Sequence, residues 1–103
     1  MSDLKEKPSL SFLQQNREDI LAIAQKHGAK NVRVFGSVAR GEANEQSDID
    51  FLIYYDLDKI TPWFPAGLLL DLEDFLGFRV DVVTEEGLKP RIKERVIKEV
   101  FLL

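Results

Sequence analysis

The 103-residue sequence predicts an α/β (α+β) fold, a small mixed β-sheet of about three or more strands packed with helices. Three observations predict it. Ser11 to His27 and Leu68 to Leu76 repeat apolar residues at helical spacing. Ile49 to Tyr55 and Phe78 to Val83 are rich in β-branched and aromatic residues. The segments alternate as α, β, short α, β, α, β, α, the pattern of helices laid on a sheet.

Each element has its own signals. In Ser11 to His27, Phe12, Leu13, Ile20, Leu21, Ile23 and Ala24 form a broad apolar face, and Gly28 supplies the stop. His27 falls in the last turn, where it is expected to meet the final carbonyls. Asn31 to Phe35 is a short β-rich run ended by Gly36, and Ser37 to Glu42 is a short helix or turn. Asn44 to Ser47 is a polar loop. Ile49 to Tyr55 is the clearest strand. Asp56 to Pro65, with two prolines, breaks the pattern. Leu68 to Leu76 is the second long helix, with Leu69, Leu72 (or Leu68), Phe75 and Leu76 turned inward, and Gly77 ends it. Phe78 to Val83 is a third strand. Pro90 suits the first turn of a last helix running to Phe101.

Composition narrows the function. The length fits one domain over residues 1–103, which buries roughly 65% of its unfolded surface. With 18 acidic and 14 basic residues the net charge is −4, against a general binder of nucleic-acid backbones. No cysteine is present, so there is no disulfide, thiolate metal site or cysteine nucleophile. Met1 to Leu10 lacks an apolar signal region, and its end is expected to fray. The longest uncharged apolar run, about Trp63 to Leu70, falls far short of the roughly 20 residues of a membrane span. A cytoplasmic location fits.

The chemistry concentrates between Phe35 and Asp50. Gly36 follows a strand and opens a helical turn, where a missing Cβ lets backbone approach a bound group. The amides beyond it would point toward an anion, and Ser37 adds a hydroxyl donor. Alone, such a pair is an ordinary turn. Asp48 and Asp50 stand two apart, so their carboxylates share a face while Ile49 points to the core. Adjacent like charges need neutralising, and Mg²⁺ favours carboxylate and phosphate oxygens. The plain alternative is a solvated turn. Asp81 is a carboxylate in an apolar strand, explained either by an ion pair with Arg79 or Arg33, or by convergence on Asp48 and Asp50. Together the phosphate turn and three aspartates match what two-metal nucleotidyl transfer requires, with Asp81 the candidate base.

Gly36-Ser37-x-Ala39-Arg40-Gly41-Glu42, followed by Ser47-Asp48-x-Asp50, resembles the signature of the DNA polymerase β-like nucleotidyltransferase superfamily, and within it the minimal nucleotidyltransferase (MNT) branch. Asp81 matches the third carboxylate by position. The resemblance implies Mg²⁺-dependent transfer of a nucleoside monophosphate from a nucleoside triphosphate, ATP foremost, onto an acceptor hydroxyl. It implies Asp48, Asp50 and Asp81 as catalytic metal ligands, and Gly36 and Ser37 on the triphosphate. It also implies an antitoxin role beside a HEPN ribonuclease toxin, the toxin being the protein that receives AMP. The short stretch after the third strand leaves little room for an acceptor site, so a protein partner or self-association is expected. Two other readings stay open: a non-catalytic, nucleotide-binding or steric antitoxin, and transfer to a small molecule such as an aminoglycoside.

The remaining residues carry two readings each. Arg40 meets phosphate or pairs with Glu42 or Glu45. Ser47 shapes its loop through local hydrogen bonds. Trp63 and Phe64 cap the core or line a stacking wall, the core being favoured. Lys89, Arg91, Lys93, Arg95 and Lys98 form a solvated basic helix face or meet an acidic group. Ile92, Val96, Val100 and Leu103 form its core or interface side, and the apolar Phe101-Leu102-Leu103 is expected to be buried against the domain or a partner.

Overall fold

The computed structural model describes residues 7–103; the frayed end expected before them lies outside the described residues. The elements are α1 (Leu10–Gln15), α2 (Arg17–Lys26), β1 (Ala29–Phe35), α3 (Gly36–Arg40), β2 (Ile49–Tyr55), α4 (Ala66–Leu76), β3 (Val80–Thr84), a 3₁₀ turn at Glu85–Gly87, α5 (Pro90–Ile97) and β4 (Phe101–Leu102). They form a four-stranded mixed sheet in the order β3-β2-β1-β4. β1 runs antiparallel to β2 and to β4, and β2 runs parallel to β3.

The sheet has two unlike faces. Ile49, Phe51 and Ile53 of β2, with Val34 and Val80 from its neighbours, join Leu13, Ile20, Ala24, Leu68, Leu72 and Leu76 in one core. That face carries α1, α2 and α4. The alternate residues of β2, Asp50, Leu52 and Tyr54, point the other way. This second face bears the charged residues of interest. No helix among the described residues is long and apolar enough to cross a membrane.

Several expectations are corrected. The first helix is two helices, broken at Asn16, whose amide side chain donates to the Phe12 carbonyl at 2.9 Å. An Asn side chain competes with helical backbone pairing in just this way. The last helix stops at Ile97, and Phe101–Leu102 is a fourth strand on β1, with the Leu103 amide bonded to Val32 O at 3.0 Å. Leu103 is buried, but Leu102 is 69% exposed, and no residue of α5 is buried. Trp63 stands 77% exposed; only Phe64 of that pair packs on the core. Phe75 turns outward because the buried stripe of α4 is Leu68, Leu72 and Leu76. The backbone amide of His27 caps α2 on Ala24 O at 3.1 Å, but its side chain does not meet the last carbonyls: Nε2 lies 2.6 Å from Asp71 Oδ2 on α4.

Candidate functional site

The site forms where β1 hands over to α3 beside the start of β2. Phe35, the last residue of β1, is the register partner of Asp50. The next residue, Gly36, has φ +76°, a left-handed conformation that glycine adopts without a Cβ penalty. Its bare Cα also makes space: a Cβ there would stand 2.2 Å from Asp50 Oδ2. The glycine is therefore the floor on which the Asp50 carboxylate rests. Gly36 begins α3, Ser37 follows it, and Gly41, at φ +75°, caps its end, with the Glu42 amide returning to Ser37 O at 2.9 Å. Ser47 shapes the loop before β2, accepting the Asn44 amide at 2.9 Å.

Asp50 and Asp81 are register partners on the parallel strands β2 and β3. Period-two alternation puts both on the charged face, with Asp48 two residues before Asp50. Asp48 and Asp81 are exposed and Asp50 is half-buried. Burial first, then the negative charges of Asp81 and Asp48, push the Asp50 carboxyl up to about 6, while Arg40 pulls the other way. The three aspartates thus share one electrostatic neighbourhood. Asp81 is exposed rather than sunk in the core, because its face of the sheet carries no helix of the main layer.

The arginines sit differently from the ion-pair alternative for Asp81. Arg33 pairs with Glu85, Nη1 to Oε1 at 2.6 Å, and Arg79 Nε lies 3.1 Å from Asp48 Oδ1. Arg40 donates to Glu42 and to Glu99, each at 2.8 Å, and not to Glu45. Sequence reasoning missed Glu99 and the Arg79–Asp48 pair. The second had a signal: Arg79, Asp81, Asp48 and Asp50 all fall on one face by alternation.

A second charged cluster lies further along the same face. Glu85, 6% exposed, accepts the Tyr54 hydroxyl at 2.7 Å, pairs with Arg33, and lies 3.5 Å from Lys93 Nζ of α5. Chiefly the Tyr54 hydrogen bond holds its carboxyl below the ordinary range. Lys93 of α5 pairs with Glu85, and Glu99, two residues past the end of the helix, pairs with Arg40, so ion pairs link this segment to the charged side of the sheet.

The donor chemistry fits a divalent cation. Carboxylate oxygens are the ligands Mg²⁺ prefers, and a cation would offset both the burial and the neighbouring negative charges that raise Asp50. As placed, no three acidic or histidine side chains among the described residues stand together as a ready-made cage, and Asp48 is paired with Arg79.

Comparison with known proteins adds four findings. The profile of the Nucleotidyltransferase domain family matches residues 17–103. The protein adenylyltransferase MntA of Thermococcus cleftensis is 39% identical over 79 residues, covering 76% of this chain and 78% of that protein. Among solved structures, a candidate minimal nucleotidyltransferase is 46% identical with a TM-score of 0.81, both chains covered in full. A chain from the complex of a tri-AMPylated Shewanella oneidensis HEPN toxin with its MNT antitoxin shares the fold, at 19% identity, TM-score 0.64, and 86% and 69% coverage of the two chains.

Proposed function

Because this chain belongs to the nucleotidyltransferase domain family, in its minimal branch, we propose that it is a protein adenylyltransferase that moves AMP from ATP onto a hydroxyl of a partner protein. The observation that carries the reading is the Asp50–Asp81 register pair, seated over a Gly36 whose missing Cβ makes room for the carboxylate. An adenylyltransferase relative at 39% identity supports the choice of reaction.

In this reading Asp48, Asp50 and Asp81 hold divalent cations, Mg²⁺ foremost. When bound, the cations offset the triphosphate's charge and acidify the attacking hydroxyl. Gly36 admits the triphosphate close to backbone, and Ser37 donates to a phosphate oxygen. Arg40 offers a guanidinium to the same group once released from Glu42 or Glu99. Asp81, exposed on β3, accepts the proton of the acceptor hydroxyl. The hydroxyl oxygen bonds to the α-phosphorus, the bond from that phosphorus to the bridging oxygen breaks, and pyrophosphate leaves. The partner is a HEPN-type toxin, and its modification is the antitoxin activity; the HEPN–MNT complex of the same fold supports this. The unit responsible is the single minimal domain, acting with its partner in the cytoplasm.

The test uses ATP labelled at the α-phosphate, Mg²⁺ and the product of the neighbouring gene. Wild type is expected to transfer label to that protein, while Asp48→Asn and Asp50→Asn, folded normally, transfer none. Equal labelling by all three proteins would overturn the site assignment. Protection of cells by Asp48→Asn would mark a steric antitoxin instead.

A further inference from the structure

We propose that Arg79 is an exchangeable cation of the site. It neutralises Asp48 until a divalent ion claims that carboxylate, and the released guanidinium then binds the triphosphate. The proposal rests on the nucleotidyltransferase reading above.

The backbone fixes where Arg79 can act. Its carbonyl accepts the Ile49 amide at 2.9 Å, which pins it beside the link between Asp48 and Asp50. Just ahead of β3 and two residues before Asp81, it falls on the same side as that residue by alternation. Two contacts hold the side chain: Nε lies 3.1 Å from Asp48 Oδ1, and Nη2 donates to Gln46 O at 3.1 Å. Both partners are open to water, with side chains 73% exposed for Arg79 and 47% for Asp48. Ion pairs this exposed hold weakly. A divalent ion carries twice the charge and binds carboxylate oxygen directly, so it wins Asp48 from a single guanidinium.

The displaced arginine does not leave. Its backbone anchor is made by main-chain atoms that the exchange does not touch. A planar guanidinium with five donors then stands beside the carboxylates that receive the nucleotide, and its geometry suits phosphate oxygens. The neighbouring Arg40 is already committed to two carboxylates, Glu42 and Glu99. Among the described residues Arg79 has one side-chain partner, and that is the one the cation removes.

Two affinities of opposite sign test this, without any turnover. Mn²⁺ alone is titrated into wild type, Arg79→Gln and Arg79→Lys, with free ion followed by electron paramagnetic resonance. α,β-Methylene ATP is then titrated calorimetrically at saturating Mn²⁺. Arg79→Gln is expected to bind Mn²⁺ about 2- to 5-fold more tightly, as a competitor is lost. It should bind the nucleotide about 10-fold more weakly, with Arg79→Lys between the two. Weaker or unchanged Mn²⁺ binding would mean that Arg79 braces Asp48, and would overturn the proposal. So would unchanged nucleotide affinity. Wild type that binds neither Mn²⁺ nor nucleotide would overturn the proposed function as well, which separates the two failures. Melting curves of both variants are expected to match wild type, because the side chain is exposed.

Discussion

Gly36 and Gly41 make a matched pair for testing the architecture of the site. Both have φ near +75°; one opens and the other caps the same short helix. They differ in what a methyl group would meet: nothing within 4 Å at Gly41, and Asp50 Oδ2 at 2.2 Å at Gly36. Alanine at either position takes on the left-handed conformation, a cost of about 1–2 kcal/mol, or about 4–8 °C in Tm for each kcal/mol. Only at Gly36 must a carboxylate also retreat. To regain ordinary contact at 3.4 Å, Oδ2 has to move by about 1.2 Å. Asp50 can do this by rotating, so the additional loss of stability is small. Its position is not recoverable, however, and a misplacement of about 1 Å costs a reaction roughly 100-fold. Gly36→Ala and Gly41→Ala are therefore expected to melt within a few degrees of one another, while transfer of labelled AMP falls about 100-fold in the first alone. Thermal unfolding and a partner-labelling time course measure the two effects. Equal transfer rates in the two variants would refute the idea that Gly36 exists to seat Asp50.

Three further outcomes follow from charges described above. Asp50→Asn removes a carboxylate whose neutral form the fold favours, so wild type without cations loses stability as pH rises from 3.8 through about 6. Discounted for solvent screening, the variant gains about 1 kcal/mol at pH 7.5, about 5 °C in Tm, and added Mg²⁺ is expected to raise the Tm of wild type but not of the variant; a variant that melts lower at every pH would contradict this. Glu85 has the opposite sign: its carboxyl is held below 4.5, so its stabilisation is complete above that pH and fades as pH falls through the lower folded value. Glu85→Gln, which leaves Arg33 largely buried without its partner, should cost about 3 kcal/mol at neutral pH and show a flatter acid limb in urea titrations. Glu99→Gln takes one carboxylate from Arg40 and is expected to lower KM for ATP with little change in kcat; steady-state kinetics would show a raised KM if Glu99 instead orients the arginine.

Much of this arrangement could be read from local pattern, and the rest depended on distant partners. The alternation Asp48-Ile49-Asp50 already separates a core-facing side chain from two that share the opposite face, and the structure keeps that division. Gly36 is legible as a turn, but its contact with Asp50 requires the β1–β2 pairing. β4 was hidden because Val96, Val100 and Leu103 suit a helical face, and a two-residue strand exists only through its hydrogen bonds to β1. His27 was assigned to the nearest carbonyls because its true partner, Asp71, is 44 residues away. The break at Asn16 was present in the residue itself: an Asn within a helical pattern is a competitor for backbone groups, and periodicity alone passes over it.

The parallel register of β2 and β3 has one more consequence. Ile49 faces Val80 and Asp50 faces Asp81, so the same ladder sets both the hydrophobic packing and the spacing of the carboxylates. A slip of one residue would turn Asp50 toward α2 and α4 and expel Phe51 into water. The misaligned chain would lose its core at the same moment as its chemistry. Packing therefore acts as a proofreader: a population of molecules that is folded and misassembled at the site is forbidden by the same residues that make the protein fold.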